Sequence, residues 1–454
     1  MSVETETRGP KPRPRRRPLA ASLALAAAAL GLSFVPGAAS AQSLLELYEA
    51  AHNYDASYLA ARALAESAIY RVEQTRALNR ASASLSGNAA RVESNPTVGS
   101  NFSSNGFGLG VNGRQPLFNR SNDATIAQAE RTLESSLADL DIAEQDLMLR
   151  VSQAYFDVLG AQDTLQTTRA NKAAISEQLA SAKRNFEVGT ATITDTREAQ
   201  ARFDLATAQE IAADNDLVTK RIALDQLVGR SNVQPRDLAV PVMLPATAAI
   251  PVDELVGRAA QEHPAVRRAR VAFEVAQLET EKARAQRLPT VDAVASVQSG
   301  RGTIAANVTG YNSVGSIGVQ VNVPLYTGGS IQNRIKETLV LEDRSRNDLE
   351  AARRAVTQTT RQAYYTLQSS TAQVKALEAA EASSQLALEA TQLGYRVGIR
   401  VNVDVLNAQS QLYQTRRDLA RARYDLLLST LRLRQASGRL VPSDILGIDA
   451  VLVR

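Results

Sequence analysis

No cysteine and no tryptophan occur among the 454 residues, and histidine occurs twice, as His52 and His263. Without thiols there can be no disulfide scaffold, thiol catalysis, Cys-ligated zinc or lipidated N-terminal cysteine. Two histidines leave almost no material for histidine-based triads or metal centres. Aromatics make up only 4% of the chain. A surplus of one charge is also missing: the formal net charge of +4 resides in residues 1–41, where Arg8, Lys11, Arg13, Arg15, Arg16 and Arg17 outnumber Glu4 and Glu6. Residues 42–454 are formally neutral, so the basic footprint of a nucleic-acid binder is absent. No G-x-S-x-G, phosphate-binding glycine loop or metal-spaced His or Asp cluster is found, so catalysis, a cofactor and a resident metal are not expected. After residue 41 no apolar run reaches the roughly 18 residues of a spanning helix, so a membrane location would require a β-barrel.

Residues 1–41 read as a signal peptide. Arg13 to Pro18 form a basic region, Leu19 to Val35 an apolar run, and Ala39-Ser40-Ala41 a small-residue cleavage site before Gln42. A single membrane anchor is the alternative, but Pro36 and Gly37 break the run and the cleavage triplet follows directly. Arg15-Arg16-Arg17 raises the twin-arginine route; the downstream pattern fits general secretion better.

What is present in abundance is repetition. At a shift of about 209 residues, Phe186-Glu187-Val188-Gly189 falls on Tyr395-Arg396-Val397-Gly398, Thr194-Asp195 on Val403-Asp404, and Ala199-Gln200 on Ala408-Gln409. Gln153-Ala154-Tyr155-Phe156 meets Gln362-Ala363-Tyr364-Tyr365 at the same shift, and Pro116-Leu117-Phe118 meets Pro324-Leu325-Tyr326 at one residue less. The unit is too long for a solenoid repeat and implies two similar halves side by side. The expected organisation is a first repeat over 42–230, a linker over 231–250 carrying Pro235, Pro241 and Pro245, a second repeat over 251–438, and a C-terminal segment over 439–454.

Proline and glycine divide each half in the same way. No proline interrupts Leu117 to Gln234 or Leu325 to Val441, so very long helices fit there. Nearly half of the 24 glycines fall instead in residues 81–118 and 288–326. Those windows alternate with period two, as in Ile317, Val319, Val321 and Val323, and predict a pair of strands of about ten residues in each. Heptads support the helices: Val405, Leu412, Leu419, Leu426 and Leu433 form one seam, and Ala408, Thr415, Ala422, Ser429 and Ala436 a second of small residues. Phe203, Leu217 and Leu224 with Ala199, Ala206 and Ala213 do the same in the first half.

A helix from 119 to 187 would be about 100 Å long at 1.5 Å per residue, which no compact domain contains. Helices over 44–80 and 194–229, stacked end to end, match its length. The long helix can then run antiparallel to both, with the strands at one end and a tight turn at Val188-Gly189-Thr190 at the other. The linker and the C-terminal segment would form a belt at mid-rod. Four strands cannot close a barrel, and open edges are not tolerated in lipid, so several chains must share one. Two chains would give eight strands and three would give twelve; a lumen continuing into helices favours three. Phe102, Phe107, Phe118, Tyr311 and Tyr326 are the candidates for the aromatic girdles. The alternative is a periplasmic coiled-coil rod whose glycine-rich windows are surface loops.

The signal peptide, the two repeats, the strand pairs and the stretch Gly394-Tyr395-Arg396-Val397-Gly398-Ile399-Arg400 followed by Asp404-Val405-Leu406 resemble the TolC family of outer-membrane channel proteins. The resemblance implies a homotrimer with a twelve-stranded outer-membrane barrel and a helical tunnel through the periplasm. It also implies docking to a periplasmic adaptor, with Val188, Gly189, Val397 and Gly398 at the tips, and an inner-membrane ABC or proton-driven pump. The absence of a cysteine after the cleavage site places the chain nearer the unlipidated branch that serves type I secretion and general efflux. Carried over by position, Tyr395 and Arg400 would bond to Thr194 and Asp195 of a facing coil and close the periplasmic end, although Arg400 read alone is a solvated turn residue. Asp404 matches the first of two acidic entrance rings, and Asn407 stands where the second acid would be.

Overall fold

The structure is a computed structural model and describes residues 42–94, 97, 101–238, 251–305, 308–450 and 452. The segment read as a signal peptide and the linker prolines Pro241 and Pro245 lie outside these residues. One element order runs through twice. The first pass comprises α1 (Leu44–His52), α2 (Ala56–Arg76) with a 3-10 turn (Ala77–Asn79), β1 (Ser82–Ser94), β2 (Phe102–Phe118), α3 (Arg120–Glu187) and α4 (Ile193–Val228). The second comprises α5 (Val252–Glu262), α6 (Pro264–Ala285), β3 (Thr290–Ala305), β4 (Val308–Asn322), α7 (Ser330–Arg396) and α8 (Asn402–Ala436), and is followed by α9 (Pro442–Asp449).

The 68-residue α3 and the 67-residue α7 are through-going rods of about 100 Å. Asn119 starts α3 by accepting hydrogen bonds from the backbone N–H groups of Ser121 and Asn122 at 3.1 and 3.2 Å. Toward the strands the helices lie in the order α2, α3, α6, α7; toward the far end the order is α4, α3, α8, α7. Shorter helices are therefore stacked end to end beside the rods. At each junction a glycine with φ of +71° lets one helix end against the next. A Cβ on Gly229 would stand 2.4 Å from the Tyr54 ring, and one on Gly438 would stand 2.9 Å from the His263 Cα. Both heptad seams of α8 are inward: Val405, Leu412, Leu419, Leu426, Thr415, Ala422, Ser429 and Ala436 are buried.

Two expectations need correction. The helix expected over 44–80 is two helices, because Asp55 caps α2 by accepting from the Tyr58 N–H at 2.8 Å and so ends α1 at His52. The strands are 13 to 17 residues long rather than about ten. Alternation continues past the glycines, and Pro116 is accommodated beside a register shift between Pro116 and Phe118.

The largest core lies at mid-rod, where α1 and α9 pack outside α3 and α8. Leu44, Leu47, Tyr155, Phe156, Leu428 and Ile445 belong to it. The Asp449 carboxylate accepts the Leu44 and Leu45 N–H groups at 2.9 and 3.1 Å, fastening the end of the chain to the first helix. The Tyr155 hydroxyl accepts from the Arg236 N–H at 2.9 Å and donates to the Arg236 carbonyl at 3.1 Å.

The strands form one antiparallel sheet in the order β1-β2-β3-β4, leaving β1 and β4 as edges within the chain. Its register sorts side chains by polarity. One face is mainly apolar and carries the cross-strand rows Ala83–Gly113–Ala295–Ile317, Leu85–Val111–Val297–Gly315, Gly87–Leu109–Ser299–Ser313, whose two serines hydrogen-bond each other at 2.9 Å, and Ala89–Phe107–Arg301–Tyr311, and near the helices Gln115–Ala293–Val319 and Phe118–Val291–Val321. The other carries Ser84–Asn112–Ser296–Ser316, Ser86–Gly110–Gln298–Val314 and Asn88–Gly108–Gly300–Asn312.

Candidate functional site

At the end of the rods far from the sheet, α3 turns into α4 and α7 into α8. Both turns use a glycine with φ of +80°, Gly189 and Gly398, a conformation that other residues adopt only at a cost. The Thr190 N–H reaches the Asn185 carbonyl at 2.8 Å, and the Ile399 N–H reaches the Gly394 carbonyl at 3.0 Å. Val188 and Val397 are exposed at the two tips.

Past the turns the repeats diverge. In α4, Thr192 and Asp195 form a capping box: the Thr192 N–H and hydroxyl donate to Asp195 Oδ2 at 3.0 and 2.7 Å, and the Asp195 N–H donates to Thr192 Oγ1 at 3.2 Å. The matching position ahead of Asp404 is Val401, which has no hydroxyl. Asp404 keeps only a long 3.5 Å bond from the Val401 N–H and lies 3.6 Å from Arg400 Nη1. Within one chain, then, Arg400 is paired with Asp404 and not with Asp195. The Arg400 side chain is 59% exposed, so this pair is worth at most about 1 kcal/mol and is easily exchanged for another partner. Tyr395 accepts from Asn185 Nδ2 at 3.3 Å, and Asn407 accepts from Arg202 Nη2 at 2.9 Å. Thr194 is exposed on the first turn of α4.

Sequence reasoning missed the polar links that tie α8 to its neighbours. Gln178 donates to the buried Asn402, Gln409 donates to the Asn171 carbonyl at 3.5 Å, and Arg202 holds Asn407. The available signal was the repeat itself: Asn402 stands where the first copy has Ile193, a polar residue in an otherwise apolar place. Nearer mid-rod, Tyr424 Oη donates to Asp163 Oδ2 at 2.6 Å. Burial pushes the Asp163 carboxyl above the usual carboxylate range, and this hydrogen bond from Tyr424 opposes the rise.

The two edges of the helical layer leave large apolar side chains uncovered. Leu64, Ile69 and Tyr70 on α2 and Leu205, Ile211 and Ile222 on α4 line one edge; Val340, Tyr365, Leu386 and Leu393 lie on α7 at the other. Different surfaces on opposite edges suit a head-to-tail contact, the kind from which closed rings are built. The open β1 and β4 edges close in the same ring, with the apolar sheet face outward to lipid and the polar face lining the bore. From the Phe107 row to the Phe118 row is about 36 Å of strand at 3.3 Å per residue, or roughly 25 Å of height at a 45° tilt, the thickness of an outer-membrane apolar band. Phe107 and Tyr311 mark one rim, and Phe118 and the exposed Tyr326 the other. Phe102 heads β2, and its side chain lies outside the described residues. Among the described residues no helix is long and apolar enough to cross a membrane.

Comparison with known proteins agrees with this geometry. The profile of the outer membrane efflux protein family matches residues 47–230 and 255–439, one match for each pass of elements. The chain is 34% identical over 427 residues to outer membrane protein TolC of Vibrio cholerae serotype O1, covering 93% of this chain and 96% of that one. It is 33% identical over 341 residues to the alkaline protease secretion protein AprF of Pseudomonas aeruginosa, covering 73% and 69%. Among solved structures, the outer membrane protein VceC of Vibrio cholerae superposes with a TM-score of 0.75 at 19% identity, over 87% of this chain and 96% of that one. The chain belongs to the outer membrane efflux protein family, the TolC-like channels, as one third of a helical barrel continued by a shared twelve-stranded outer-membrane β-barrel.

Proposed function

We propose that three copies form the outer-membrane exit duct of a tripartite export system, carrying protein or small-molecule cargo from an inner-membrane ABC or proton-driven transporter through a periplasmic adaptor to the outside. The observation that carries this reading is the register of the sheet, which puts a lipid-compatible face and a water-compatible face on the end of a rod long enough to cross the periplasm. Residues 1–41 act as the signal peptide that sends the chain across the inner membrane. The adaptor docks at the tips through Val188, Gly189, Val397 and Gly398.

The tips also close the duct. In the ring, α4 of one copy faces α7 of the next, which brings the exposed Thr194 and the half-buried Asp195 toward Tyr395 and Arg400 of the neighbour. Arg400 can leave its weak intrachain partner Asp404 for Asp195 across the interface, a charge-assisted bond that a docking adaptor can compete away. Three Asp404 carboxylates then lie at one level of the entrance and favour cations, with Asn407 supplying no second ring of charge.

Single-channel recording of the purified protein in a planar bilayer tests the reading. Stable openings of low conductance from a trimer are expected. A water-soluble, elongated protein without conductance would leave a coiled-coil rod and remove the duct.

A further inference from the structure

Two cations stand on the lipid-facing side of the sheet at its outer rim, Arg301 of β3 and Arg91 of β1. In the row Ala89–Phe107–Arg301–Tyr311, Arg301 lies between two aromatic residues on adjacent strands. The Phe107 and Tyr311 rings meet edge to face with centroids 6.3 Å apart, and the Arg301 guanidinium carbon lies 5.9 Å from the Tyr311 centroid. Among the described residues no carboxylate pairs with Arg301, and it is exposed. The other cation on this rim, Arg91 of β1, is already neutralised by Glu93 at 2.9 Å.

Depth gives this residue its meaning. A charge on the lipid face of a barrel costs about 2–4 kcal/mol at the bilayer midplane and close to nothing at the interface. The aromatic row marks the interface, and the strands run away from the periplasmic helices, so Arg301 sits at headgroup height in the outer leaflet. There the abundant opposite charge is the phosphate of an anionic lipid. A guanidinium resting against Tyr311 is held in one orientation and offers a planar fork of donors that matches phosphate oxygens in pairs.

We propose that Arg301, positioned by Phe107 and Tyr311, is a docking site for the phosphate of an outer-leaflet lipid headgroup, present three times around the barrel. The site rests on the outward orientation of the apolar face, and so on the barrel reading above.

The test is native mass spectrometry of the detergent-purified trimer with lipid A carrying both phosphates and with dephosphorylated lipid A. The expected result is up to three phosphorylated lipids per trimer, weak retention of the dephosphorylated form, and a loss of about tenfold in affinity for the phosphorylated form in Arg301→Gln. Arg91→Gln should retain wild-type binding. Equal binding of the two lipids by the wild-type trimer would overturn the proposal without recourse to any variant, as would unchanged binding by a correctly assembled Arg301→Gln trimer. A trimer that conducts ions yet shows no phosphate preference loses only this site; a protein that neither inserts nor conducts loses the barrel as well.

Discussion

The two repeats share the order of their helices and strands and differ instructively at two places, the first turn after the tip and the joint at mid-rod. At the first turn, Asp195 is bound by Thr192, while its counterpart Asp404 has Val401 beside it and turns to Arg400. At the joint, Asp55 caps α2 and is held bidentately by Arg150 at 3.0 and 3.1 Å. Its counterpart His263 caps α6 with Nδ1, accepting from the Ala265 N–H at 3.1 Å, and among the described residues no arginine pairs with it. At both places the carboxylate of the first copy is held by more bonds than its counterpart in the second. The gate proposed above draws its cation, Arg400, from the second copy.

The largest effect is expected where the asymmetry serves the gate. Arg400→Ser removes the cation that α7 and α8 offer to the neighbouring copy, and single-channel conductance should rise several-fold; unchanged conductance would assign Arg400 to solvent alone. Asp404→Ala should abolish most of the preference for cations, measured as a reversal potential in a salt gradient. A retained preference would show that the ring lies elsewhere.

Next come the joints. Gly229 and Gly438 share a φ of +71°, so alanine at either costs about 1–2 kcal/mol from backbone conformation alone. The added Cβ meets the exposed Tyr54 ring in one case, which can swing aside, and the backbone of His263 in the other, which cannot. Gly438→Ala should therefore lower the thermal midpoint of the trimer more than Gly229→Ala. Equal shifts would mean that the two stacks are mechanically the same.

A smaller effect is expected from making the first turns alike. Val401→Thr offers Asp404 the capping box that Thr192 gives Asp195, worth about 1 kcal/mol of helix stability. It also draws Asp404 away from Arg400, leaving Arg400 to the neighbouring copy, and open probability should fall. A rise would show that Asp404 helps Arg400 to close the gate and does not compete for it.

The smallest effect concerns pH. Burial holds the His263 pKa below the ordinary imidazole value, so the folded chain resists a proton that the unfolded chain accepts. The second joint should lose stability as pH falls through about 6.5, the unfolded value of histidine. Asp55, held below the usual carboxylate range chiefly by its hydrogen bonds from Arg150, keeps its contribution above about pH 4, the unfolded value of aspartate, and loses it as pH falls from there through the lowered folded value. Thermal midpoints of wild type and His263→Asn, compared from pH 7.5 to about 5, should converge on acidification. Parallel curves would remove His263 as the cause.

Much of this was legible in the sequence because it rests on local chemistry. Proline-free stretches, the heptads of α8 and the glycines at the tips act within a few residues, and each leaves a spacing that can be read. The break at Asp55 was readable too, as a capping residue inside an otherwise helical stretch, but apolar periodicity on both sides obscured it. Asn185 with Tyr395 and Gln178 with Asn402 pair positions more than 200 residues apart, where no spacing connects the partners. The division of the sheet into a lipid face and a water face needed the register, which relates four strands from two repeats.

The contact between neighbouring tips can be measured in a chain that has no cysteine of its own. The double variant Asp195→Cys with Arg400→Cys, oxidised as an assembled trimer and separated under denaturing conditions without reductant, should run as covalent dimers and trimers that reductant dissolves, and should conduct only after reduction. Monomer alone, or a disulfide confined to one chain, would contradict a gate that closes between copies.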